Sequence, residues 1–351
     1  MNQFKSSLTN SVFTEKGSIS AKCASNIALI KYWGKREIQI PMNPSISFTL
    51  NESYTQTRLK FEPKESSGWE VAVFLDGELK EDFVPKIIGF FNRIDAFIPF
   101  LNRFKFEIHT HNTFPHSSGI ASSASGLGAL SLCLVELENQ LGGDLNEQEK
   151  LKKASFLARL GSGSACRSIY PGLAVWGETE EVEGSSDFYA VPFPYEVHKD
   201  FRNFQDTILL IDEGQKEVSS TVGHKLMEGH PYAEQRFQTA EENLKRLIPV
   251  LKSGDLEEFG KIVEHEALSL HAMMMMSHPY FILMKPNTLK VIEKIWEFRK
   301  ETQQSLFFTL DAGANVHLLY PEKNQPEIID LIEKELKSYC FQGKTIKDFA
   351  F

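Results

Sequence analysis

The sequence predicts an α+β fold in two lobes, and three observations carry that expectation. Its 351 residues exceed the roughly 250 to 300 that a single core usually spans, so the chain is long enough for two lobes or two domains. The composition, 42% hydrophobic and 24% charged without repeats or low-complexity tracts, is that of a chain that folds throughout. Segments of period two and of helical period are interspersed without the strict strand-helix alternation of a parallel α/β sheet.

Each element follows from its local pattern. Val71, Val73 and Leu75 alternate ahead of Asp76-Gly77, a strand entering a tight turn. Phe104, Phe106 and Ile108 alternate with Lys105, Glu107 and His109 and predict another strand. Leu127, Leu130, Leu134, Leu137 and Leu141 recur at helical spacing, and Gly142-Gly143 ends that helix. The same period predicts helices over 146–160, 231–252, 255–272 and 287–302, while "DTILLIDEG" (206–214) and "SLFFTLDAG" (305–313) read as buried strands running into loops. The junction between lobes is expected in 192–206, which holds Pro192 and Pro194, giving an N-terminal lobe over 1–195 and a C-terminal lobe over 196–351.

The balance of 38 basic and 47 acidic residues, a net charge of -9, argues against broad binding to nucleic acid or an anionic membrane. Cys23, Cys133, Cys166 and Cys340 form no CxxC pair and are expected as reduced thiols. Residues 1–15 lack the apolar core of a signal peptide, so a cytoplasmic protein is expected. The uncharged run 108–135 is too rich in His, Asn, Ser, Gly and Pro to span hydrocarbon.

Four stretches carry chemistry. "HSSGIASSASGLG" (116–128) leads from a polar loop into the start of a helix, where free amides and the positive end of the dipole favour an anion. Gly119, Gly126 and Gly128 would let a phosphate approach the backbone, and the serine hydroxyls add donors. The loop matches neither a Walker motif nor a dinucleotide fingerprint, and an ordinary serine cap remains the competing reading. "NIALIKYWGKRE" (26–37) sets Lys31, Lys35 and Arg36 beside Tyr32 and Trp33; the cations suit a phosphorylated or carboxylated substrate, and a packed aromatic pair with solvated lysines is the alternative. In "ARLGSGSACRSIYPGLAVWG" (158–177) a helix ends at Gly161 and a small-residue loop follows, where Arg167 can clamp a carboxylate; a C-cap glycine with an ordinary turn behind it is the competing reading. "FTLDAGANVHLLYP" (308–321) exposes Asp311 at a strand end, either as an acceptor of a hydroxyl proton or as a plain Asx-turn.

Taken together, "NIALIKYWGKRE...IPMNPSISFTL", "NTFPHSSGIASSASG", "GSGSACRS", "KEVSST" and "DAGAN" occur in the order and approximate spacing of the diphosphomevalonate decarboxylase family, within the GHMP small-molecule kinase superfamily. The resemblance runs from about Ser18 to the C-terminus. It implies a two-lobed GHMP-kinase fold with the active site in the cleft between lobes. It also implies ATP-dependent decarboxylation of mevalonate 5-diphosphate to isopentenyl diphosphate, a step of isoprenoid biosynthesis.

By motif match the resemblance makes Asp311 the base or orienting group at the 3-hydroxyl, Lys31 the cation between it and the transferring phosphoryl, and Arg167 the clamp on the carboxylate. Tyr32, Lys35, Ser162, Ser164, Ser219 and Ser220 match substrate-binding positions. Ser117, Ser118, Gly119, Ser122 and Ser123 match the ATP phosphate loop. Two positions depart from the family: "FPTAAG" is "FPHSSG" here, placing His116 for threonine, and "DAGPN" is "DAGAN", where Ala314 for proline is expected to free the turn slightly.

ATP and Mg²⁺ are the implied cofactors. No carboxylate lies in 116–128, so the metal ligands are not identifiable; Asp212 and Glu213 are candidates by type alone. His109 and His111 share a strand face but have no third ligand, so a structural pair is favoured over a metal site. The Met273–Met276 run reads as core or cleft lining. Three alternatives stay open: a mevalonate 3-kinase, a decarboxylase of the monophosphate, and a catalytically silent binding protein. A homodimer also stays open, since apolar helical faces do not separate an interface from a core.

Overall fold

The computed structural model describes residues 1–8, 13–115, 122–213 and 220–350, with the backbone alone at Ser220 and Thr221. The N-terminal part holds β1 (Gly17–Ile30), β2 (Lys35–Arg36), β3 (Ile40–Pro41), β4 (Ser45–Pro63), β5 (Glu70–Leu75) and β6 (Glu78–Leu79). There follow α1 (Val84–Ile94), β7 (Phe104–Asn112), α2 (Ser122–Gln140), α3 (Glu147–Gly161), β8 (Leu173–Trp176) and β9 (Val191–Pro192). The C-terminal part holds β10 (Phe204–Leu209), α4 (Ser220–Lys225), α5 (Ala233–Ser253), α6 (Leu256–Met275) and α7 (Pro286–Thr302). It closes with β11 (Phe307–Thr309), β12 (Val316–Tyr320), α8 (Gln325–Lys334) and β13 (Thr345–Ala350).

Eleven strands form one mixed sheet with the path β11-β12-β10-β13-β4-β7-β5-β6, and β1 and β8 also pair with β4. The 19-residue β4 is its spine. Along its second half Thr55, Thr57, Leu59 and Phe61 face inward and Gln56, Arg58, Lys60 and Glu62 outward, the alternation of a sheet covered on one face. Ser45 to Leu50 are all buried, because both faces there are covered. Ile46, Phe48 and Leu50 join a core with Leu244 and Phe259, whereas Leu59 and Phe61 join a separate core with Leu130 and Phe156. Asp348 of β13 marks the passage between the halves: its carboxylate accepts the N–H groups of Asn51 at 2.8 Å, Glu52 at 3.0 Å and Ser53 at 2.7 Å.

The helices end where their residues require. Asn146 caps α3 in a reciprocal capping box with Glu149. Gly254, left-handed at φ +81°, stops α5. Gly128 has a different duty from the phosphate approach expected of it. It is buried in α2, and a Cβ there would collide with Cys23 Sγ on β1, so this glycine lets helix and sheet meet closely. All four cysteines are free and buried. No helix among the described residues is long and apolar enough to cross a membrane.

Candidate active site

A cleft of about 610 Å³ is lined from both halves of the chain. The end of β1 and the segment after it contribute Lys31, Tyr32, Trp33 and Lys35; the start of α2 contributes Ser122, Ser123 and Gly126; the turn after α3 contributes Ser162, Ser164 and Arg167. His224 of α4 and Asp311, in the loop after β11, complete the wall. The expected residues within the described chain therefore converge on one cavity. Ser117, Ser118, Gly119, Ser219 and His116 lie outside the described residues, as does the side chain of Ser220.

Lys31 is buried, and its Nζ donates to Asp311 Oδ1 at 3.3 Å. Burial pulls the Lys31 amine below the usual lysine range, and the adjoining Asp311 carboxylate pulls it back up. Asp311 is the partly exposed member, with 29% of its side chain accessible, so it faces the cavity. Its own carbonyl accepts from His271 Nε2 at 3.1 Å, and the Ala314 carbonyl accepts from Thr288 Oγ1 at 2.7 Å. The turn bearing Asp311 is thus pinned at both ends in the absence of a proline.

Arg167 is fully enclosed, in a short 3₁₀ segment, Gly163–Ile169. Its Nε donates to Ser47 Oγ at 3.0 Å, Nη1 to Ser45 Oγ at 2.6 Å and Nη2 to Asn26 Oδ1 at 3.4 Å. These are neutral acceptors, and no ion pair to Arg167 exists among the described residues. A buried guanidinium with no carboxylate in direct contact, on the wall of a cavity, is arranged for an anion from solution. Asn26, Ser45 and Ser47 hold it from strands more than a hundred residues away in sequence.

Tyr32 is wedged between Trp176 and His224, with ring centroids 4.6 and 4.2 Å away. Gly163 permits this, because a Cβ there would lie 2.9 Å from the tyrosine hydroxyl and 2.7 Å from the Trp176 ring. The Tyr32 hydroxyl is buried without a hydrogen-bond partner among the described residues. His224 accepts the Gly34 N–H on Nδ1 at 3.0 Å, which leaves its proton on Nε2. Burial holds it neutral by pushing its pKa down to about 3. No motif pointed to His224.

The α2 terminus has no acidic residue in its first turn, a Cβ on Gly126 would meet no described residue within 4 Å, and Ser122, Ser123 and Gly126 line the cavity. Beyond it the cleft turns apolar, between Val73, Leu75, Phe83, Ile87 and Leu127, with Lys86 at the edge. Asp212 and Glu213 do not line the cavity; Glu213 is paired with Lys344 at 2.8 Å. Among the described residues no three His, Cys, Asp or Glu side chains form a metal cluster. His109 and His111 are engaged by Glu107 and Asp76 respectively, as a structural pair would be.

A crystal structure of mevalonate diphosphate decarboxylase from Staphylococcus aureus is 30% identical, covers 96% of both chains and superposes with a TM-score of 0.82. This chain belongs to the mevalonate diphosphate decarboxylase family. Family models agree, the diphosphomevalonate decarboxylase-like N-terminal domain matching residues 23–190 and the mevalonate 5-diphosphate decarboxylase C-terminal domain residues 207–349. A structure described as MDDEF in complex with MVAPP, AMPPCP and magnesium is similar at 30% identity and TM-score 0.82, over 96% of this chain and 97% of that one. The diphosphomevalonate decarboxylase of Candida albicans is 28% identical over 330 residues, 90% of this chain and 88% of its own. The GHMP-type α+β architecture expected from the motifs is therefore the one the family has.

Proposed function

We propose that this chain catalyses the ATP-dependent decarboxylation of (R)-mevalonate 5-diphosphate to isopentenyl diphosphate, CO2, ADP and phosphate, as a cytoplasmic enzyme of isoprenoid biosynthesis. One observation carries the reading: an enclosed arginine with neutral partners shares a cavity with a lysine-aspartate pair 3.3 Å apart. The first suits a carboxylate and the second a hydroxyl that is to be phosphorylated. The family's complex with a diphosphate and an ATP analogue supports the same assignment.

In this reading Asp311 accepts the hydrogen bond, and then the proton, of the substrate 3-hydroxyl as that oxygen takes the γ-phosphoryl. Lys31 steadies Asp311 and offsets the negative charge that grows on the transferring oxygens. When the 3-phosphate departs with its C–O electron pair, the pair of the C–CO2⁻ bond becomes the new double bond. Arg167 holds the carboxylate in line until that moment. Ser164 orients the substrate, while Tyr32, Lys35, Ser162, Ser219 and Ser220 hold the diphosphate end, where the orphaned Tyr32 hydroxyl acquires its partner.

Ser117, Ser118, Gly119, Ser122 and Ser123 take the ATP phosphates at the start of α2, and the apolar end of the cleft suits a flat heterocycle. Mg²⁺ commonly keeps waters and binds through substrate phosphates with one or two protein oxygens, so a site without a carboxylate cluster fits it. Bound there, it would supply neutralisation of phosphate charge. Among the oxygens lining this cavity, the Ser122 and Ser123 hydroxyls at the start of α2 are the ones that would hold it beside the ATP phosphates. The two lobes are assigned to 1–195 and 196–351.

Purified protein is tested with ATP and Mg²⁺ against mevalonate, its 5-phosphate and its 5-diphosphate while ADP and CO2 are followed together. Equal release of both with the diphosphate alone is expected. ADP without CO2 would make the chain a kinase, CO2 from the monophosphate would move the substrate, and silence with all three would leave a binding protein.

A further inference from the structure

We propose that Glu266 and Arg236, a buried ion pair on α6 and α5, are positioning residues for Lys31, holding its main chain so that its amine meets Asp311. The inference rests on the reading above, in which Lys31 and Asp311 flank the reacting hydroxyl.

Lys31 follows the last residue of β1, and a side chain, not the sheet, receives its N–H. That N–H donates to Glu266 Oε2 at 2.8 Å, and its carbonyl accepts from Asn43 Nδ2 at 3.0 Å and from Arg236 Nη2 at 3.5 Å. The carboxylate is itself fixed: Arg236 binds it through both terminal nitrogens, at 2.6 and 3.2 Å, and Asn243 Nδ2 adds a bond at 2.8 Å. Glu266 is 0% and Arg236 4% exposed, and neither lines the cavity. They do not line the cavity, so their effect on turnover passes through the residues they hold, of which Lys31 is the one in direct contact.

A buried ion pair is seldom more stabilising than a hydrophobic pair of equal volume, so stability alone is a weak reason to carry one here. Its geometry offers another. His271, which holds the Asp311 carbonyl, lies on the same helix five residues after Glu266, roughly 7.5 Å along the axis at 1.5 Å per residue. One rigid helix therefore sets the main chain on both sides of the Lys31–Asp311 contact. A displacement of about 1 Å at such a contact can cost on the order of 10²-fold in rate.

The charged and titratable groups around the Lys31 amine are Asp311 from the loop after β11, Glu266 and His271 from α6, Arg236 from α5, Arg167 from the 3₁₀ segment and Asp206 from β10. Asp311 and Glu266 favour its protonated form, and burial and Arg167 oppose it. Glu266→Gln keeps an acceptor for the Lys31 N–H and removes the charge.

The Lys31 Cε signal is followed in carbon-13 lysine-labelled protein, assigned by its loss in Lys31→Met, alongside kcat and KM. In Glu266→Gln the signal is expected to titrate at lower pH, and kcat to fall about 10- to 100-fold with KM for ATP within about threefold. Should that variant not fold, Arg236→Met/Glu266→Gln removes both charges together, and kcat is expected to fall over the same range. Glu266→Asp retains the charge one methylene short, and should restore the titration while kcat stays low. A folded Gln or double variant with wild-type kcat, or a folded Gln variant in which Lys31 titrates as in wild type, overturns the proposal. If wild-type protein releases no CO2 from the diphosphate, the functional reading fails on its own, and the Lys31 signal still shows whether Glu266 positions it.

Discussion

Enclosing a guanidinium among hydroxyls and an amide costs desolvation that no direct ion pair among the described residues offsets, Asp311 acting on it only at a distance, and Arg167 bears that cost on the cavity wall. Arg167→Leu should therefore retain or raise the melting temperature while turnover falls at least about 10²-fold, the scale of losing one preorganised electrostatic group. Folded protein with unaltered CO2 release would remove Arg167 from the mechanism. Asp311→Asn keeps the shape of the side chain but cannot take a proton. Single-turnover ADP formation should slow by about 10² to 10⁴-fold, and survival of full turnover would show that Asp311 is not the base. Lys31, Asp311 and Arg167 were legible in the sequence through their motifs. Asn26, Ser45 and Ser47 lie in the quoted motifs and Glu266 in none, but the orienting role of all four was not legible because each acts across more than a hundred residues of chain.

The approach of α2 to the sheet turns on one small residue. In Gly128→Ala the new Cβ must displace Cys23 Sγ in a closed core, and overpacking of this kind costs about 1 to 3 kcal/mol. Urea unfolding should show that loss, and Cys23→Ala in the same chain should recover part of it; two losses that simply add would place the strain elsewhere. Helical spacing announced α2, α3, α5, α6 and α7; α5, α6 and α7 bury one face and leave another wet, whereas α2 is covered nearly all round and was announced by its leucines alone. The spine strand β4 was not announced. Its first six residues are covered on both faces and so lack the alternation by which a strand is read. The same local reading gave Gly128 to the phosphate loop, since nothing in "SGLG" shows which glycine faces a cavity and which faces a strand.

Assembling the cleft buries two histidines, and this sets how the molecule responds to acid. Burial lowers His224 to about 3 and His271 to about 4, against an ordinary value of 6.5. With both folded values depressed, the unfolded chain takes up protons first as pH drops below about 6.5, so stability present above that pH is lost on acidification. At about 1.4 kcal/mol per pH unit, each histidine accounts for about 2 kcal/mol between pH 6.5 and 5. Urea unfolding at pH 7.5 and 5.0 should show a loss about 2 kcal/mol smaller in His271→Gln than in wild type, and equal losses would show that His271 is not held neutral. By itself the sequence determined the mixture of strands and helices, the acidic balance of charge and the residue types for a phosphate loop, a carboxylate clamp and a proton acceptor. These are properties of short windows, where period and side-chain chemistry suffice. Which windows face one another, which arginine is left without a counter-ion and which glutamate holds the lysine in place were decided only by the tertiary structure, since burial and distance arise when segments far apart in the chain meet.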